Sequence, residues 1–267
     1  MMDWLQLALL ALLQGVTEFL PISSSAHLVI PALVLGWEDQ GLAFDVAVHV
    51  GTLLAVMLYY RRELWQMAVS CAGLVRGQPI NDDVRLVWWL AVATAPVCIV
   101  GFLADDFIES RLRSLPVIAT TTLVFGLLLG LADRRARAGG EPRALGVLAA
   151  VVIGLAQALA PIPGVSRSGI TISAGLLLGL SRQLAARFAF LLSIPVIAGA
   201  GLLKGLQLAN GAVAVNWYLL AMAALISAVT AYACIGLFLR LLDRVGLMPF
   251  VYYRVALAAL LYALWMF

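Results

Sequence analysis

Charge is what this sequence has least of. Asp, Glu, Lys and Arg make up 12% of its 267 residues, while 64% are hydrophobic and the mean hydropathy is +1.04. An ordinary soluble domain carries about 25% charged residues. A water-facing surface cannot be covered with so few charges, so the bilayer must be the main solvent. No long stretch has ordinary polar composition, which excludes a separate soluble domain and leaves one polytopic membrane domain over 1–267. A basic face is also missing, and with it a nucleic-acid partner. Cysteines are scarce, odd in number and far apart, and Cys71, Cys98 and Cys234 are read as small buried hydrophobes. The opening Met1-Met2-Asp3 lacks the basic region of a cleaved signal peptide and is expected to stay in the mature protein.

What remains is apolar and periodic in length. Six runs, at about 44–60, 86–104, 116–132, 186–203, 217–239 and 250–267, approach the roughly 20 residues that a transmembrane helix requires. Two further regions differ. Residues 4–36 hold two shorter apolar pieces broken at Pro21 and Ser23-Ser24-Ser25, and residues 145–180 hold two broken at Pro161-Ile162-Pro163-Gly164. Proline removes a donor and clashes with the preceding turn, so both regions are expected to be re-entrant helix–break–helix hairpins. Such backbone is tolerated at membrane depth only where protein buries it or it lines a wet cavity. The expected fold is therefore all-α, with six transmembrane helices and two re-entrant hairpins.

The few charges set an orientation. Arg61, Arg62, Arg76 and Arg85, then Arg134, Arg135, Arg137 and Arg143, then Arg240 and Arg244 mark three cytoplasmic connections. Glu38 and Asp39, then Asp105, Asp106 and Glu109, mark the other side, with Arg111 and Arg113 a minor exception. Both termini then lie outside the cytoplasm, and the two hairpins enter from opposite faces. That is an inverted repeat, about 1–132 and 145–267. In a gapless register Pro21 aligns with Pro163, Leu42-Ala43 with Leu184-Ala185 and Ala47 with Ala189, while Gln14 and Gln157 stand at similar distances before the breaks. Inverted repeats with broken helices commonly place a binding site where the breaks meet.

The residues with chemistry cluster at those breaks. Gln14 and Glu18 are four apart and share a helix face. An intramembrane carboxylate is costly and needs a cation or a proton, so Glu18 is read as a metal ligand for a hard cation that also binds phosphate oxygens. Tying helices together by hydrogen bonds is an alternative that suits Gln14 better than Glu18. Ser23, Ser24 and Ser25 either cap the next helix or contact phosphate, and at least one is expected only to cap. His27, just beyond, could activate water, protonate a leaving group or attack phosphorus. His49, in a spanning run without such neighbours, is read as structural. The second break, Pro163-Gly164-Val165-Ser166-Arg167-Ser168-Gly169-Ile170-Thr171, nearly matches a P-loop, but Ile170 replaces the required lysine and no strand precedes it. Its glycines would still let N–H groups converge on an anion. Arg167 has the planar fork that suits phosphate oxygens; a structural ion pair with Glu18 is the competing reading. Arg182, Arg187 and Lys204 are read as interfacial anchors, and Tyr59, Tyr60, Trp88, Trp89 and Trp217 as aromatic belts.

Taken together, the Gln14-to-Glu18 element, the stretch from Pro21 to His27 and the stretch from Pro163 to Thr171 resemble the BacA/UppP family of undecaprenyl-pyrophosphate phosphatases over essentially the whole chain. The resemblance implies removal of the terminal phosphate of undecaprenyl pyrophosphate, giving the lipid carrier of bacterial cell-wall synthesis. It implies a divalent cation, Mg²⁺ or Ca²⁺, a location in the bacterial plasma membrane and an association with bacitracin resistance. It assigns Glu18 and Gln14 to the acidic motif that serves the metal and catalysis, His27 to the catalytic histidine with Ser24 beside it, and Ser166, Arg167 and Thr171 to the phosphate-binding motif; with the break residues Ser25, Gly164 and Ser168 as further phosphate contacts, the expected catalytic residues are Glu18, His27 and Arg167. Many members have Glu at the Gln14 position, and an amide can coordinate but cannot act as a base; Ala26 stands where Gly is frequent. A lipid-phosphate flippase using the same inverted-repeat site is the rival reading. A homodimer is left open.

Overall fold

The computed structural model describes residues 4–37, 41–138, 143–210 and 216–266. Glu38 and Asp39, the Glu109 side chain and the centre of the 133–144 connection lie outside them. Among the described residues the chain is all helical, in the order α1 Trp4–Thr17, α2 Ser24–Leu35, α3 Gly41–Tyr59, α4 Arg61–Val75, α5 Asp82–Arg111, α6 Leu115–Ala138, α7 Val147–Gln157, α8 Arg167–Leu177, α9 Arg182–Asn210, α10 Trp217–Val245 and α11 Met248–Met266.

Six helices, α3, α5, α6, α9, α10 and α11, are long and apolar enough to cross a bilayer. They fall on the six apolar runs but extend past several of them. Arg85, Asp105 and Asp106 belong to α5, Arg134, Arg135 and Arg137 to α6, and Arg240 and Arg244 to α10. Hydropathy marks only the apolar window, whereas backbone hydrogen bonding continues beyond it. The connection expected near 61–85 is largely the helix α4. Its first residues extend from the end of α3, and it buries only a narrow face containing Met67 and Gly73 while Trp65 and Val69 stay exposed. That pattern is too polar to be recognised as a span.

Large apolar side chains point outward along the long helices: Phe102, Leu103, Leu131 and Val229 are each more than half exposed. Inside, the core draws on both halves of the chain. An aromatic chain runs from Phe19 to Phe190, Phe238 and Phe250, with successive ring centroids 5.3, 5.7 and 5.5 Å apart. In lipid there is little hydrophobic drive between helices, so close approach at small residues matters more. α1 crosses α10 at Gly15, where a Cβ would stand 2.7 Å from the Ser227 carbonyl oxygen, and α7 crosses α5 at Gly154, where a Cβ would stand 2.7 Å from Ala93 Cα. Gly154→Val is therefore expected to force α7 off α5 and destabilise the fold by about 1–3 kcal/mol, read as a lowered melting temperature in detergent; an unchanged melting temperature would refute this contact.

Several side chains differ from their expected places. Arg182 donates through Nε to the fully buried Asp133 at 2.6 Å, Arg187 pairs with Glu63, and Lys204 Nζ lies 2.7 Å from Asp105 Oδ2. These cations tie α9 to α6, α4 and α5 rather than serving simply as anchors to the interface. Tyr60 is buried, edge-on to Tyr59, and so is no belt residue, whereas Trp88 and Trp217 are exposed. Cys98 is exposed and Cys71 and Cys234 are half-buried, so the cysteines are not core hydrophobes.

Candidate active site

Both broken regions stop and restart in the same way. α1 ends at Thr17 and α2 begins at Ser24; α7 ends at Gln157 and α8 begins at Arg167. The residue before each restart has a left-handed φ without being glycine, 72° at Ser23 and 70° at Ser166. Such a conformation costs on the order of 1–3 kcal/mol and persists only when its surroundings enforce it. The enforcement here is Arg254 of α11. Its guanidinium is fully buried and donates to the carbonyls of Pro21 in the first break, Gly164 and Val165 in the second, and Thr121 and Thr122 of α6, at 2.8–3.5 Å. One side chain thus holds both breaks against α6.

Held in this way, the breaks bring Glu18 and Arg167 together. Arg167 Nη2 donates to Glu18 Oε1 at 3.0 Å, and Arg167 also lies over the Phe19 ring, 5.8 Å from its centroid. Glu18 Oε2 accepts from Gln14 Nε2 at 2.8 Å and from Ser24 Oγ at 3.0 Å. His49 faces the same carboxylate at 3.8 Å. Its Nδ1–H donates to the Asp45 carbonyl at 2.7 Å, which leaves Nε2 to accept the second N–H of Gln14 at 3.2 Å. His49 is therefore part of the acidic centre, contrary to its reading as structural. Gln14 Oε1 is buried and has no donor among the described residues.

The serines divide their work. Ser23 makes no capping bond to α2; its Oγ lies 3.1 Å from Ser25 Oγ, and Ser25 Oγ accepts from the Gly164 N–H at 3.3 Å. Of the three serines, then, Ser24 turns to Glu18 and Ser25 to the opposite break, and the expectation that one only caps the helix is not met. Ser166 does cap α8, accepting from the Gly169 N–H at 3.2 Å. Ser168 Oγ donates to the Leu20 carbonyl at 2.9 Å and Thr171 Oγ1 to the Arg167 carbonyl at 2.8 Å. The glycine N–H groups of the near-P-loop thus bond to Ser25 and Ser166, and its hydroxyls hold the backbone of the turn.

His27 joins the first break through Ser23 and, among the described residues, makes no hydrogen bond to Glu18 or Arg167. Its Nδ1–H donates to the Ser23 carbonyl at 2.7 Å, and its Nε2 accepts from the Tyr253 hydroxyl at 2.6 Å, the two rings lying almost parallel. Tyr253 and Arg254, which have no role in the sequence reading, and His49, which it takes as structural, lie in apolar spans. For His49 and Arg254 a signal existed, since an ionisable group within a span is a functional candidate by default. Tyr253 offered none, because tyrosine near a helix end reads equally well as an interfacial residue.

The comparisons with known proteins identify the family. A family model described as bacitracin resistance protein BacA matches residues 7–260. An undecaprenyl-diphosphatase of Alcanivorax borkumensis is 59% identical over 260 residues, covering 97% of this chain and 98% of its own length. Undecaprenyl-diphosphatases of Hahella chejuensis and Teredinibacter turnerae are each 54% identical, over 97% and 98% of this chain and 97% and 99% of theirs. With the match running through both breaks and through the α11 arginine that joins them, the chain belongs to the bacitracin resistance protein BacA family.

Proposed function

We propose that this protein is an undecaprenyl-diphosphatase of the bacterial inner membrane, hydrolysing undecaprenyl pyrophosphate to undecaprenyl phosphate and inorganic phosphate. The observation that carries the reading is the buried contact of Glu18 on one break with Arg167 on the other, in a chain whose relatives bear that name. A carboxylate and a guanidinium from two separate interruptions of the helical backbone are brought to one point within the apolar spans, and ionisable groups there are functional candidates by default.

The membrane arrangement follows the same reading. α1, α2, α7 and α8 have 14, 12, 11 and 11 residues. At 1.5 Å per residue none is longer than about 21 Å, short of the roughly 30 Å hydrocarbon core, which supports two re-entrant hairpins. The matched φ values at Ser23 and Ser166, and the buried Gln14 and Gln157, support an inverted repeat. Both pairs stand one residue out of the register that aligns Pro21 with Pro163. The charge bias favours non-cytoplasmic termini.

In this site Arg167 would grip oxygens of the terminal phosphate and stabilise the charge developing on the transferred phosphoryl group, and Ser24 and Ser25 would contact it from the first break. Phosphoryl transfer depends mainly on such positioning and electrostatics. Gly164, Ser166, Ser168 and Thr171 would form the phosphate side of the second break by fixing its backbone. His27 would handle a proton or attack phosphorus. A divalent cation, Mg²⁺ or Ca²⁺, suits Glu18 and Gln14: among the described residues the amide oxygen of Gln14 is a buried acceptor without a donor, on the side chain whose N–H contacts the Glu18 carboxylate. Among the described residues no three acidic, histidine or cysteine side chains gather around one point, so substrate phosphates would supply much of the coordination, as is usual for Mg²⁺. When bound, the cation would neutralise phosphate charge.

Purified protein in detergent is expected to release phosphate from undecaprenyl pyrophosphate, and to stop when EDTA is added. A flippase without hydrolytic activity would release none, since transport requires a sealed membrane. Activity indifferent to EDTA would remove the metal from the scheme and leave hydrolysis standing.

A further inference from the structure

We infer that Tyr253 is a catalytic residue, the proton relay between the attacking water and His27; this rests on the phosphatase reading above. The imidazole is held at both nitrogens. A carbonyl oxygen can only accept, so the contact with Ser23 fixes the proton on Nδ1 and leaves Nε2 as the basic atom. That atom is closed off by the Tyr253 hydroxyl at 2.6 Å, with the rings stacked within 4° of parallel and 5.5 Å between centroids. His27 is 5% exposed and Tyr253 is 45% exposed. The phenol thus stands on Nε2, and of the two residues it is Tyr253 that is the more open to its surroundings.

The neighbouring residue fixes this geometry. Arg254 follows Tyr253 on α11 and is bonded to the break that carries Ser23 and to the opposite break. The staple that shapes both breaks therefore also sets the hydroxyl on the imidazole. No side chain other than Tyr253 forms a hydrogen bond to His27 among the described residues.

In the step that follows, water attacks the terminal phosphorus and gives its proton to the Tyr253 oxygen as the new O–P bond forms. The Tyr253 proton passes to His27 Nε2, and the Ser23 carbonyl on Nδ1–H steadies the resulting imidazolium. The bond from the terminal phosphorus to the bridging oxygen breaks, its electron pair leaving with the lipid monophosphate. His27 is a base in this scheme and forms no bond to phosphorus.

The test uses the full chain in detergent with undecaprenyl pyrophosphate and compares it with Tyr253→Phe, which keeps the ring and its stacking. The variant is expected to lose at least about tenfold in kcat with KM within about twofold of the unsubstituted protein. The proton inventory, rate against fraction of D₂O, is expected to be curved for the unsubstituted protein because two protons move, and to lose that curvature in the variant. Acid-labile phosphohistidine is expected in neither. Should Tyr253→Phe unfold, 3-fluorotyrosine at position 253 replaces it, and kcat is expected to change with the acidity of the phenol. A variant as active as the parent, a phosphohistidine trapped once the phenol is gone, or a slowed variant with an unchanged proton inventory would each overturn the relay. An unsubstituted protein that releases no phosphate would instead overturn the phosphatase reading, and the relay with it.

Discussion

Arg167→Lys is expected to lower kcat by about 10²- to 10³-fold, the usual loss when one preorganised donor to a developing anion is removed. Lysine keeps the charge but offers a point ammonium in place of a planar fork. The rival explanation is that Arg167 merely neutralises Glu18 in a buried pair, with side chains 10% and 8% exposed at 3.0 Å. The two accounts part company in the double variant. Removing one member of a buried pair typically costs about 3–5 kcal/mol, because an uncompensated charge stays behind, while removing both is often close to neutral. Glu18→Gln with Arg167→Gln should therefore recover most of the thermal stability lost by either single change, yet remain inactive. Near-normal turnover in Arg167→Lys, or activity returning together with stability in the double variant, would reduce the contact to a structural tie.

Arg254→Met should be the most damaging single change away from the Glu18 cluster. The methionine fills similar space, but the carbonyls of Pro21, Gly164, Val165, Thr121 and Thr122 lose their shared donor. Each buried carbonyl left unsatisfied costs about 1–3 kcal/mol, so a total of at least about 3 kcal/mol is expected even if some find new partners. The left-handed Ser23 and Ser166 would then be held only by the weaker bonds of His27, Ser25 and Gly169, and Glu18 and Arg167 would move apart. The expected result is a large drop in melting temperature in detergent, with phosphate release lost even below the new transition. Arg254→Lys, able to reach only some of the five carbonyls, should fall between. A stable and active Arg254→Met protein would mean that the two breaks hold themselves.

Much of this architecture could be read from residue order. An apolar run of sufficient length can only be a helix in lipid, because no other single segment satisfies its own backbone there, so the six spans were visible as composition. The two breaks were visible as proline and serine within apolar stretches, and Glu18, Ser24, His27 and Arg167 as polar groups at those breaks. α4 was not visible, because a helix with one narrow buried face resembles a polar connection. Nor were the partners of Arg182, Arg187 and Lys204, since an ion pair between helices more than forty residues apart leaves no local pattern.

The sequence by itself determined that this protein lives in lipid, how many helices can cross it, and which interruptions carry chemistry, because those properties follow from local composition and from the backbone rules of a medium without water. Only the tertiary structure decided which groups face one another: that Arg167 meets Glu18, that His49 joins the acidic centre through Gln14, that Tyr253 covers the imidazole, and that Arg254 binds both breaks together. Those pairings bring together residues as much as 233 positions apart. They are set by how whole helices cross, at small residues such as Gly15 and Gly154, and no short window of sequence contains that information.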